Sequence, residues 1–161
     1  MNGLILYRSH FGNTKLVAET LAEVAVAAGH GATVQDVRRK MPNLAGVDFV
    51  MVGSPTRIAR PSLGATGALR RLRARAIGSR PVAIFDTYGP VPTQPEELKN
   101  AKKWIYPGAA GILEEKAKAL GLKVYPMTLR CQVTGMKGPL AAHELERASS
   151  FAKEFLGSIS R

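Results

Sequence analysis

At 161 residues, 45% of them hydrophobic, the chain has the size of one ordinary domain that can bury a core without disulfides or a structural metal. The single cysteine, Cys131, excludes an internal disulfide and a Cys/His metal cluster, and no apolar run suits a membrane span or a cleavable leader, so a soluble, cytoplasmic protein is expected. A net charge of +11 biases the chain toward anionic cofactors, acidic partners or nucleic acid and says nothing about fold.

The apolar run Leu4 to Tyr7 is too short for a buried helix and suits an interior strand. Ser9, His10, Phe11, Gly12, Asn13 and Thr14 follow it. They supply small hydroxyl and amide side chains and a glycine that lets backbone approach a ligand, directly before a helix. In that helix Val17, Leu21, Val24, Ala25 and Ala28 share one face, Asn13 or Thr14 can cap the start, and Gly29 stands where a left-handed cap ends it. The positive end of the helix dipole then faces whatever the loop holds, which favours a phosphate by about 0.3–1 kcal/mol.

Ala32 to Val37 reads as a second strand and Val47 to Val52 as a third, the latter nearly all apolar, as in a parallel strand covered on both faces. The third ends in Gly53, Ser54, Pro55 and Thr56, followed by Arg57 to Ser62. A helix from about Leu63 to Ile77 puts Leu69 and Leu72 inside and its arginines outside. From Phe49 to Phe85 there is no acidic residue, while Arg57, Arg60, Arg70, Arg71, Arg73, Arg75 and Arg80 fall there. A solvated helix face explains Arg70 to Arg75 better than a nucleic-acid site, because no aromatic residue is interleaved for stacking. A fourth strand, Val82 to Phe85, stops at Asp86, Thr87, Tyr88, Gly89 and Pro90.

The connection from Thr87 to Gly108 is long, which marks it as functional or structured. Pro95, Glu96 and Glu97 resemble a helix start, with the helix running toward Trp104. Ala109 to Leu120 is a helix ended by Gly121, Lys123 to Leu129 the fifth strand, and Val133 to Pro139 a glycine-bearing turn. Leu140 to Leu156 closes the chain as a helix with Leu145, Ala148, Ala152 and Phe155 inward. Alternating strands and helices predict an α/β three-layer sandwich over residues 1–161, a single domain about a five-stranded parallel sheet in order 2-1-3-4-5. Ligands then collect at the carboxyl ends of strands one, three and four.

Missing residues exclude several chemistries on this architecture. The lysine of a nucleoside-triphosphate loop and the G-x-G-x-x-G of a dinucleotide site are absent. Arg8 and Ser9, then Gly53 and Ser54, stand where a receiver domain needs acids, and the first loop has no cysteine for a phosphatase. The stretch Tyr7 to Thr14, with Val17 and Ala18, resembles the phosphate loop of flavodoxin-like FMN-binding proteins. Gly53 to Thr56 and Thr87 to Gly89 resemble their two isoalloxazine loops, and the likeness extends to Gly135 through Pro139.

The resemblance implies FMN as cofactor, with its phosphate on Ser9, Phe11, Gly12, Asn13 and Thr14 and with His10 beside it or facing solvent. It implies Ser54, Pro55, Thr56, Arg57 and Ile58 on one side of the flavin, and Thr87, Tyr88 and Gly89 on the other, with Tyr88 stacked on the ring. Two departures stand out: Phe11 replaces a common threonine, and Arg57 and Arg60 make basic a rim that is acidic in many flavodoxins. Three functions follow. The first is an FMN electron carrier with an acidic redox partner protein, the second an FMN-dependent NAD(P)H or quinone oxidoreductase in which the Thr87 to Gly108 segment covers a substrate site. The third is a flavin-free basic binding module.

Overall fold

The computed structural model describes residues Met1–Arg161. Five parallel strands, β1 (Asn2–Tyr7), β2 (Gly31–Asp36), β3 (Phe49–Pro55), β4 (Pro81–Tyr88) and β5 (Lys123–Gln132), form one sheet in the order β2-β1-β3-β4-β5. Five helices cover it: α1 (Asn13–Ala27), α2 (Leu63–Ala74), α3 (Pro95–Ile105), α4 (Gly108–Ala119) and α5 (Glu144–Ile159). The fold class and strand order expected from the sequence are those observed.

Side chains alternate across a strand, so each inner strand feeds two cores. Leu4, Leu6, Val50, Val52, Val82 and Ile84 face α2 and α4, where they meet Leu69, Leu72 and Leu113. Ile5, Phe49, Met51, Ala83 and Phe85 face α1 and α5, against Val17, Leu21, Phe151 and Phe155. Burying one such Leu or Phe contributes about 1.5–3 kcal/mol. The same parity continues past the core: Asp86 and Tyr88 fall on the α4 side of β4, and Thr87 on the α1 side.

Several boundaries differ from the sequence reading, most of them because strand pairing overrides local signals. β3 and β4 run on to Pro55 and Tyr88, since Ser54 pairs Asp86 and Pro55 pairs Thr87. Parts of the second and third loops are therefore strand ends. α2 stops at Ala74 instead of Ile77, with Ala76 at φ 51° and Ile77 turned into the core. The closing helix starts at Glu144, not Leu140. Leu140 bridges Val133, and the Ala141 N–H donates to the Gln132 carbonyl at 2.8 Å, so this segment extends the sheet before α5 begins. Between β4 and β5 the register shifts, Val82 pairing Val124 but Ile84 pairing Thr128. Pro126, which cannot donate to a ladder, lies in the bulged stretch on this edge strand. Downstream of the bulge, Arg130 stands opposite Asp86.

Candidate functional site

The loops at the carboxyl ends of β1, β3 and β4 enclose a cleft of about 480 Å³. Twelve of the fourteen residues singled out from sequence line it: Ser9, His10, Phe11, Asn13, Thr14, Pro55, Thr56, Arg57, Ile58, Thr87, Tyr88 and Gly89. Gly12 and Ser54 do not. Gly12 shapes the loop, and Ser54, fully buried, accepts the Ser62 N–H at 2.8 Å and so braces the start of α2.

The first wall is the start of α1. Gly12 adopts φ 94°, a left-handed conformation that a side chain would strain, and donates its N–H to the Ser9 hydroxyl at 3.0 Å. Neither Asn13 nor Thr14 caps the helix. The Asn13 amide donates to the Lys137 carbonyl at 3.2 Å, tying the loop to the turn before α5, and the buried Thr14 hydroxyl is 2.7 Å from that of Thr87. The first helical N–H bonded back is that of Leu16, to the Gly12 carbonyl. The N–H groups of Asn13, Thr14 and Lys15 have no protein acceptor, and no acidic residue lies in the first turn. This is an anion-receptive end.

The surroundings are positive as well. Partial burial, then the charges of Arg8, Arg57 and Arg38, hold His10 below its ordinary pKa. The unfolded chain therefore binds this proton more readily, and the group's contribution to stability is lost as pH falls below the ordinary histidine range.

The second wall is a tight turn after β3. Arg57 and Arg60 exchange backbone hydrogen bonds, each at 3.0 Å, with Ile58 and Ala59 at positive φ between them. Such residues cost about 1–2 kcal/mol each. The Ala59 N–H donates to the Trp104 carbonyl at 2.8 Å, so the end of α3 holds the turn in place. Arg57 and Ile58 are exposed at the mouth, while the Thr56 hydroxyl points inward and donates to Asp86 at 2.7 Å.

The third wall contains what the sequence reading missed. Asp86, fully buried, accepts the Ala110 N–H at 3.1 Å near the start of α4, and Arg130 binds it through Nε at 3.0 Å and Nη2 at 2.9 Å. The Arg130 guanidinium lies 4.2 Å from the centre of the Tyr88 ring, whose phenol burial pushes up in pKa. Pro90, Ala101, Trp104, Ile105, Val133 and Met136 also line the cleft. Of these, Trp104 carried a signal as the single tryptophan on the helix inside the long connection, Met136 lies in the Gly135 to Pro139 likeness, and Pro90 follows the third loop directly. Cys131 is buried on the opposite face of β5, its thiol pushed up to about 12, mainly by burial, and is chemically inert there. No group of His, Cys, Asp or Glu is arranged to hold a metal ion, and no helix is long and apolar enough to cross a membrane.

A donor-lined end beside a cleft walled by Ile58, Tyr88 and Trp104 suits a ligand that is anionic at one end and aromatic at the other. Residues 4–121 match the model of the flavodoxin domain. Among solved structures, the chain is similar to a flavodoxin from the domain Archaea, at 20% identity and TM-score 0.78 over all of both chains. It is also similar to oxidised flavodoxin 2 from Bacillus cereus, at 21% identity and TM-score 0.74 over 98% of this chain and 99% of that one. All of it but 1% matches the rubredoxin oxygen:oxidoreductase of Desulfovibrio gigas, at 18% identity and TM-score 0.75, but it spans only 36% of that protein.

Proposed function

Because this chain belongs to the flavodoxin domain family, we propose that it binds one FMN non-covalently and passes electrons to a protein partner. The observation that carries this reading is the start of α1, whose free N–H groups open onto the same cleft as Tyr88 and Ile58. Ser9, Phe11, Gly12, Asn13 and Thr14 would hold the phosphate through hydroxyl and backbone donors, with His10 beside them. Pro55, Thr56, Arg57, Ile58, Thr87, Tyr88 and Gly89 would enclose the isoalloxazine, and Ser54 would support that wall from behind. The bound flavin supplies the redox chemistry, and the protein sets its exposure and electrostatic surroundings. Burial of Cys131 supports non-covalent attachment.

Charge complementarity supports an acidic partner. Arg57, Arg60, Lys99, Lys102, Lys103 and Lys137 are exposed and none is in an ion pair. Phe11, Ile58, Trp104 and Met136 give the mouth of the cleft an exposed apolar centre. Such a pattern suits steered, transient association.

A second reading, an FMN-dependent NAD(P)H or quinone oxidoreductase, is favoured by α3, which brings Ala101, Trp104 and Ile105 over the cleft as a substrate site would require. Uptake of FMN by the apoprotein, seen as flavin fluorescence quenching at one equivalent, tests the binding reading. No uptake would leave the basic binding module. Steady NAD(P)H oxidation with a quinone acceptor would select the enzyme over the carrier.

A further inference from the structure

We propose that Arg130, which does not line the cleft, is a positioning residue that fixes the Tyr88 ring for flavin stacking. The inference rests on the FMN-binding reading above. The Tyr88 phenol makes no hydrogen bond within the protein, so nothing polar at its tip sets the ring's orientation. The neighbour that does is the guanidinium, 4.2 Å from the ring centre, which also lies 5.4 Å from the centre of Tyr106. A planar cation over a ring face is attracted to its π electrons and leaves the other face for a ligand.

The guanidinium is itself immobilised. Its Nε and Nη2 hold Asp86, and Nη2 reaches the Ile105 carbonyl at 3.1 Å and the Thr56 hydroxyl at 3.4 Å. Its place depends on the β4–β5 register that sets Arg130 opposite Asp86, two residues before Tyr88. It depends also on Gly108, at φ 77°, where a Cβ would collide with the guanidinium. One side chain therefore ties the stacking ring of β4 to the last residue of α3 and to the Thr56 wall. Lysine could keep the charge opposite Asp86 but could not lie flat on Tyr88 while bonding the Ile105 carbonyl.

The test is a double-mutant cycle read by FMN titration of the apoproteins. R130K is expected to weaken FMN binding about fivefold and to raise the fluorescence of the bound flavin as Tyr88 leaves the stack. In the Y88A background the same substitution is expected to change the dissociation constant less than twofold. Equal weakening in both backgrounds would reveal a general structural role and overturn the proposal, as would parental affinity and fluorescence in R130K. Should R130K fail to fold, the neutral pair D86N/R130Q takes its place in the cycle with the same expectations. A parent protein that takes up no FMN would sink the flavin reading itself, whereas normal uptake without coupling removes only the role of Arg130.

Discussion

Two helices begin at the same edge of the sheet, and their first turns are furnished in opposite ways. At α4 the chain provides its own anion: Asp86 accepts the Ala110 N–H, the Thr56 hydroxyl accepts the Ala109 N–H at 2.8 Å, and Arg130 neutralises the carboxylate. At α1 there is no acid in the first turn and no side-chain cap, and the surrounding charges are Arg8, Arg57 and Arg38. At α4 the Ala109 and Ala110 N–H groups are satisfied internally and fix the fold, while the N–H groups of Asn13, Thr14 and Lys15 at α1 are left open to a ligand. Similar local backbone is thus filled by the protein in one place and left open to a ligand in the other, and the neighbouring side chains decide which.

The largest expected effect comes from breaking the α4 arrangement. D86A leaves Arg130 without its partner and two polar groups unsatisfied, and is expected to lower the urea-unfolding free energy of the apoprotein by about 3 kcal/mol. A loss below about 1 kcal/mol would mean that the buried pair holds little.

Making α1 resemble α4 is the converse experiment. In S9D the carboxylate can still accept the Gly12 N–H, so the apoprotein gains about 0.5 kcal/mol from the dipole. FMN binding is expected to fall about 100-fold, because two anions then compete for one helix end. Unchanged affinity would place the ligand's phosphate elsewhere.

Much of this contrast was legible in the sequence, and the illegible part has a common cause. The loop Ser9 to Thr14 is contiguous and its donors are local, so the anion-receptive end could be read directly. The partner of the Ser54 hydroxyl could not be read, because it is the Ser62 N–H across a turn. Arg130 was invisible because its role depends on a register set beyond a bulge and on a glycine twenty-two residues away. The start of α5 was misjudged for a similar reason, since residues 140–141 pair with Val133 and Gln132 before the helix can begin.

The smallest expected effect tests the basic surroundings shared by the start of α1 and the cleft beside it. Arg57 is exposed, so its interaction with the negative charge of a reduced flavin is screened by solvent and salt. R57E is expected to lower the potential of the bound flavin by roughly 30–60 mV at low ionic strength and by less at high salt. A salt-independent or absent shift in potentiometric titration would assign Arg57 to partner docking alone.

The central claim is that the start of α1 receives a phosphate, and its most direct test compares FMN with riboflavin, which has the same ring system and no phosphate. Two charge-assisted hydrogen bonds from backbone donors are expected to make FMN about 100-fold or more the tighter ligand, an advantage that S9D should largely erase. Equal affinity of the parent apoprotein for both flavins would contradict the account.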